Sequence, residues 1–407
     1  MMNVPRLRFK EFCGDWDVKK IGDVGENIIG LTYSPNNVTE DELFPIVLRS
    51  SNIKNDTLDL NDLVRVKEKI NERLFVQEND ILICTRNGSQ RLIGKNVLIS
   101  NIEAAITFGA FMSVFRSPLN KFIVHLFKTD DYNEQIQMNL GARINQITTK
   151  SLNSFKFYFP TIPEQAKIAN FLTAIDDKIT NLTQKVELLT RYKKGVMQQI
   201  FSQQLRFKDD DGLEFPEWEE KSLGEITVSI SNGLSSIQNS NKEGYKVTRI
   251  ETISDKSINL NKVGYVLTDE DISSYKLEIG SILLSNINSI SHIGKVVYVD
   301  ADYNIYHGMN LLRIEINSYF NDSKFIFYQL SSERLKTNFE TIANKAVNQA
   351  SINQTELKKT LLKVPSLPEQ TKIANFLTAL DDKLTNTKTQ LDTMKQYKQG
   401  LLQQLFV

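Results

Sequence analysis

Two glycine-lysine pairs, Gly94-Lys95 and Gly294-Lys295, are the nearest this chain comes to a phosphate cradle. A Gly-x-x-x-x-Gly-Lys-[Ser/Thr] loop needs its first glycine so that backbone amides can close on phosphate oxygens. Ser89 and Ser289 stand at that place. Cys13 and Cys84 lack Cys-x-x-Cys spacing, and His125, His292 and His307 lie far apart, so no zinc set is spelled out. These five are read as structural or surface residues. Asp176-Asp177 falls near the start of a long helical pattern, where solvated or partner-facing carboxylates are expected rather than metal chemistry. The pattern predicts no catalytic residue and no metal site. What recurs instead is polar loops. Asp80-Ile81-Leu82-Ile83-Cys84 and Ser281-Ile282-Leu283-Leu284-Ser285 read as strands, each followed by a polar loop and then by Ile93-Gly94-Lys95 or Ile293-Gly294-Lys295. Later polar loops hold Asn145-Gln146 and Asn348-Gln349.

The elements that position these loops are duplicated. Pro163 to Asn181 and Pro368 to Asn386 are identical at 16 of 19 positions, 205 residues apart. Thr161 and Ser366 each precede a Glu by three residues, which predicts a reciprocal capping box at both helix starts, and Pro falls in the first turn. Ile168, Ile175, Leu182, Leu189 and Val196 then repeat every seven residues, with Leu172, Ile179, Val186 and Ile200 at the other core position. That is a coiled-coil seam interrupted at Lys193. The second copy keeps the register through Ile373, Leu377, Leu380, Leu384, Leu391, Met394, Leu401 and Leu405, and departs at Thr387 and Lys398. Two matching seams most simply pair with each other, as rods of roughly 60 Å. Ahead of each globular stretch, Leu7-Arg8-Phe9-Lys10 recurs as Leu205-Arg206-Phe207-Lys208. Helical stretches are expected around Phe122 to Leu140 and Phe325 to Ile342. The predicted order is globular domain 1–160, helix 161–205, globular domain 206–365, helix 366–407.

The chain has 407 residues, 41% hydrophobic and 24% charged, which is ordinary for a soluble globular protein of two to three domains. No cationic-apolar leader and no apolar run approaching 18 residues is present, so a cytoplasmic protein with no membrane partner is expected. The helices are nearly alike while the globular stretches have diverged, which suggests one shared partner surface and two separately tuned recognition surfaces.

With its two Pro-Glu-Gln-x-Lys-Ile-Ala-Asn-Phe-Leu openings, the Asp176-Asp177-Lys178 and Asp381-Asp382-Lys383 continuations and the strand-loop-Ile-Gly pattern, the chain resembles the specificity subunits of Type I restriction-modification enzymes along its whole length. Asn79 before Asp80, and Gly280-Ser281, depart from the family's usual Gly-Asp-Ile-Leu. The resemblance implies an α+β protein. Two globular target recognition domains of mixed helix and sheet would be separated by two long antiparallel coiled-coil helices, an internal duplication with pseudo-two-fold symmetry. Each domain would read one half of a split target in double-stranded DNA. Modification subunits, two of them, would carry adenine N6 methylation with S-adenosylmethionine. Restriction subunits would carry cleavage with ATP and Mg, leaving no cofactor on this chain. The chain itself lacks the Asn/Asp-Pro-Pro-aromatic run of an amino methyltransferase.

Base edges are read by Arg or Lys at guanine and by Asn or Gln at adenine. On that basis the candidates in the first domain are Arg86, Asn87, Arg91 and Lys95 after the strand, with Arg143, Asn145 and Gln146 before the helix. In the second domain they are Asn286, Asn288 and Lys295, then Lys345, Asn348 and Gln349. Arg86 faces Asn286 or Ile287, depending on one gap, so two different half-sites are expected. Candidates for modification-subunit contact are Glu164, Gln165, Lys167, Asn170 and Phe171, with Glu369, Gln370, Lys372, Asn375 and Phe376. Lys plus Arg number 49 and Asp plus Glu 49, so the chain has no net attraction for phosphate, and its partners are expected to supply much of the backbone binding. The rival expectation is a coiled-coil adaptor that binds proteins alone.

Overall fold

The computed structural model describes residues 3–102, 104–140, 145–253, 257–290, 292–345 and 349–407. It forms two compact units, one of residues 1–183 with 389–407 and one of 184–388. The long helices Ile162–Phe201 and Leu367–Leu405 each contribute one end to each unit.

In the first unit the heptad residues Ile168, Leu172 and Ile175 are buried with Leu401 and Leu405 of the second helix and with Phe406 just beyond it. Early residues of one helix meet late residues of the other, so the pairing is antiparallel. The second unit repeats this with Val196 and Ile200 against Ile373 and Leu377. Each such side chain contributes about 1.5–3 kcal/mol on burial. The lysines that interrupt the seams each find an aspartate of the Asp-Asp pair. Lys398 Nζ lies 2.5 Å from Asp176 in the first unit, and Lys193 Nζ lies 2.5 Å from Asp381 in the second. A charge pair inside an apolar seam penalises slipped registers, as polar residues at core coiled-coil positions do.

Each globular part is built on a four-stranded antiparallel sheet. Its strand order is Glu26–Ile29, Met112–Arg116, Ile81–Cys84, Asn96–Leu98 in the first unit, and Thr227–Asn232, Leu311–Ile316, Ile282–Ser285, Val296–Tyr298 in the second. The central strands Ile81–Cys84 and Ile282–Ser285 are wholly buried, as the apolar runs Ile81-Leu82-Ile83-Cys84 and Ile282-Leu283-Leu284 lead one to expect. Each expected helical stretch is two helices, Asn120–Leu126 and Asp130–Asn139, then Ser323–Leu330 and Glu333–Ile342. The breaks fall at Thr129 and Ser332, whose hydroxyls cap the following helices.

The expected capping boxes do not form. Glu164 accepts a bidentate pair from Arg8, Nε to Oε1 at 2.7 Å and Nη2 to Oε2 at 2.8 Å. Glu369 does the same with Arg206 and also accepts from Trp218 Nε1 at 3.1 Å. The arginine gives the carboxylate two bonds and a full positive charge where the cap offers one backbone N–H, so the glutamates turn away from the cap, and the Ser366 hydroxyl is left buried without a partner. Phe9 packs edge-on against Phe171, and Phe207 against Phe376, so each Leu-Arg-Phe-Lys segment docks on a helix start. The same segments touch helix ends. Leu7 N donates to Gln404 O at 2.9 Å, and Leu205 N to Gln199 O at 3.1 Å.

His125 sits at the helix seam of the first unit, with its Nε2 3.3 Å from Thr173 Oγ1. Burial, with the charges of Lys398 and Lys128 behind it, pulls its pKa down to about 3, so it stays neutral although Asp176 Oδ2 is 3.7 Å away. Asp56, which holds Lys128, completes the set. Unfolded His binds a proton near pH 6.5 while the folded one does not. Stability is therefore lost as pH falls from about 6.5 towards 3, at up to about 1.4 kcal/mol per pH unit. His307, lowered by burial to about 4, acts with the same sign in the second unit. His125→Gln is expected to flatten the dependence of the first unit alone, measured as urea midpoints at pH 7 and pH 5 with Trp16 fluorescence.

Candidate nucleic-acid interface

The sheet ladders bring the two candidate loops of each unit together. In the first, Ile147 N donates to Thr85 O at 2.9 Å and Asn87 N to Asn145 O at 3.2 Å, while Arg86 and Gln146 form an antiparallel bridge. Asn145 Nδ2 reaches Gly88 O at 3.0 Å, and Asn87 Nδ2 reaches Ser50 Oγ at 2.9 Å. Arg86, Asn87, Asn145 and Gln146 thus form one cluster, with the Arg86 side chain exposed. Arg91 is exposed on the short turn Gln90–Leu92. Lys95 turns inward, its Nζ donating to Ile53 O at 2.5 Å. Arg143 lies outside the described residues.

In the second unit Ile352 N donates to Asn286 O at 2.8 Å, and the segment Ile287–Asn288 pairs with Ala350–Ser351, which pairs in turn with Asn344–Lys345. Asn286 is buried, its amide 3.5 Å from Ile352 O. Asn288 donates to Ser285 Oγ at 3.1 Å and accepts from Ser289 N at 2.8 Å. Lys345 and Gln349 are exposed, and Asn348 lies outside the described residues. Lys295 lines a cavity of about 280 Å³ with Glu251, Ser285, Asn288 and His292.

Equivalent hydrogen bonds settle the gap between the two loops. Cys84 N donates to Lys95 O and Ser285 N to Lys295 O, both at 2.8 Å, while Ile147 N to Thr85 O matches Ile352 N to Asn286 O. Thr85 therefore corresponds to Asn286, and Arg86 to Ile287. The loops meet through the same ladder and present different side chains.

Sequence reasoning missed Phe111. It is exposed at the turn before the strand Met112–Arg116, and its ring lies under the Arg86 guanidinium, 4.9 Å from centroid to Cζ. Gly30 places this turn, because its N–H donates to Met112 O at 3.2 Å and a Cβ there would stand 2.3 Å from Gly109 O. Gly233 is placed in the same way in the second unit, where an added Cβ would stand 2.0 Å from Gly308 O. Their recurrence at matched places was the available signal.

The helix-start candidates are mostly engaged within their own units. Glu164 and Glu369 are fully buried on their arginines. Gln165 and Gln370 are buried, each donating to a preceding proline carbonyl at 2.8 Å. Lys167 meets Glu11 at 3.2 Å, Lys372 meets Asp210 at 2.6 Å, and Phe171 and Phe376 hold Phe9 and Phe207. Asn170 and Asn375 are exposed. Among the described residues no group of three His, Cys, Asp or Glu could hold a metal ion, and no helix is long and apolar enough to cross a membrane. Cys84 lies buried beneath the first loop, its thiol pushed up to about 11 by desolvation.

Comparison with known proteins bears on this geometry. The family model described as "Type I restriction modification DNA specificity domain" matches residues 14–191 and again 216–396. The putative type I restriction enzyme MjaX specificity subunit of Methanocaldococcus jannaschii is 42% identical over 210 residues, 51% of this chain, which spans about half (49%) of that protein. The StySPI specificity subunit of Salmonella potsdam is 25% identical over 94% of this chain and 87% of its own length. The crystal structure of the Type I S subunit from M. genitalium superposes with a TM-score of 0.65 at 18% identity, over 99% of both chains, and so shares the fold. Because the family model matches both halves of the duplicated scaffold, the chain belongs to the Type I restriction-modification specificity subunits, the non-catalytic subunits that carry DNA sequence recognition.

Proposed function

We propose that each unit reads one half of an asymmetric, bipartite target in double-stranded DNA through its loop cluster. The observation that carries this is the matched ladder with unmatched side chains, Arg86 at the place of Ile287 and Thr85 at that of Asn286. The paired helices set the spacer between half-sites. Two modification subunits dock over the helix starts, where Asn170, Asn375 and the half-exposed Lys167 face outward. They carry S-adenosylmethionine, methylate adenine N6 and supply much of the phosphate binding that a chain of zero net charge lacks. Restriction subunits add ATP- and Mg-dependent cleavage, and the assembly works in the cytoplasm.

The test is co-expression with the cognate modification subunit in a host lacking this modification, followed by mapping of N6-methyladenine. One bipartite, asymmetric motif is expected. No new methylation from a stable complex overturns the reading in favour of a protein-binding adaptor. A heptad inserted into both long helices lengthens each by about 10 Å, on the order of three base pairs, and the spacer in the mapped motif is expected to lengthen accordingly. Retained methylation at the original spacer removes the ruler role.

A further inference from the structure

Arg86 differs from the other candidate side chains in how it is held. Its backbone N–H and that of Thr85 both donate to Phe111 O at 3.0 Å, so the arginine is tied to the turn that carries the aromatic ring. Phe111 is 55% exposed, a large apolar residue left in solvent beside the loop cluster, with the guanidinium over its ring. Stacking on an aromatic face removes rotamer freedom from a long side chain and leaves the in-plane N–H donors pointing away from the ring. Two parallel donors at fixed spacing match the N7 and O6 acceptors that guanine shows in the major groove. Among the described residues the matched places of the second unit hold no such pair. Ile287 occupies the place of Arg86, and Asn310, at φ 67°, follows Met309 where Phe111 follows Ala110.

Resting on the reading that this unit recognises DNA, we propose that Arg86 is the guanine reader of the first half-site and that Phe111 is its positioning residue. Ile287 offers no donor, so the second half-site has no guanine read from this place. Phe111 acts only through Arg86: it sets the plane and reach of the guanidinium.

The experiment is the N6-methyladenine map of the complete modification complex, run with the unaltered chain and with Arg86→Gln, Phe111→Ala and Phe111→Tyr. The unaltered chain is expected to require a guanine in one half-site. Arg86→Gln is expected to relax that single position by about ten-fold or more, the usual worth of a bidentate base contact, with the spacer and the other half-site unchanged. Phe111→Ala is expected to relax the same position to a smaller degree, and Phe111→Tyr, which keeps the ring, to restore it. The unchanged half-site reports that each variant is folded and assembled, and a general loss of packing would not act on one base pair alone. A bipartite motif whose guanine preference survives Arg86→Gln overturns the assignment and leaves the proposed function standing. Loss of preference in Arg86→Gln with none in Phe111→Ala removes the positioning role. Absence of any bipartite motif with the unaltered chain overturns both.

Discussion

Glu164→Ala is expected to destabilise the first unit by about 3–5 kcal/mol, the cost of leaving a buried charge without its partner. Glu164 is fully buried and Arg8 meets it through Nε and Nη2, so the alanine variant leaves a guanidinium only 16% exposed with no counter-charge and only the carbonyls of Gly14 and Cys13 as partners. Glu369→Ala is expected to do the same to the second unit, and there it also strips Trp218 Nε1 of its acceptor. Each unit holds one of the two tryptophans, Trp16 and Trp218, so urea unfolding followed by fluorescence in Trp218→Phe and Trp16→Phe backgrounds assigns the loss to a unit. The paired change Arg8→Met with Glu164→Leu is expected to recover much of the loss, since apolar replacement of a whole buried pair is often neutral. An unchanged midpoint in Glu164→Ala would show that the helix start is held by the Phe9–Phe171 and Lys167–Glu11 contacts without the buried pair.

Gly30→Ala and Gly233→Ala should each cost about 2–4 kcal/mol, combining overpacking with lost backbone hydrogen bonds. The added Cβ would stand 2.3 Å or 2.0 Å from a carbonyl oxygen on the neighbouring turn, so the backbones must part. Parting them breaks Leu31 N to Phe108 O at 2.7 Å, or Leu234 N to His307 O at 2.8 Å. Gly195 and Gly400 are the contrast. They sit on the long helices with nothing within 4 Å of an added Cβ, so alanine there is expected to stabilise by about 1 kcal/mol. The same fluorescence titrations decide both cases, and equal effects at Gly30 and Gly195 would remove the steric argument.

The long helices and the duplication could be read from the sequence because their causes are local and periodic. A seven-residue repeat names the buried face wherever the helix goes, and 16 identities in 19 positions need no structure to be seen. The capping boxes failed for the opposite reason. Glu164 answers to Arg8, 156 residues away, and no short-range pattern reveals that a stronger donor will arrive. Lys193 and Lys398 looked like defects in a seam and are ion pairs with Asp381 and Asp176, partners on the other helix. At the candidate interface the residue types were visible but their grouping was not. Which loop meets which depends on ladder register, and the one-residue difference between the loops was resolved only by hydrogen bonds at Cys84 and Ser285. Phe111 carries no motif at all, and its interest comes entirely from what lies above it.

The two contacts of Leu7 with Gln404 and Leu205 with Gln199 carry a consequence for topology. Each joins a Leu-Arg-Phe-Lys segment to the last turns of a long helix. At one of these junctions the backbone runs on through Ser202 and Gln203, and at the other Leu7 and Gln404 meet through the hydrogen bond, far apart in the chain. The two junctions are equivalent local contacts, one of them continued by the chain and the other not. A circular permutant cut near Gln203, with a short linker from residue 407 to residue 1, is expected to keep the Arg8–Glu164 and Arg206–Glu369 pairs and to exchange only which half is synthesised first.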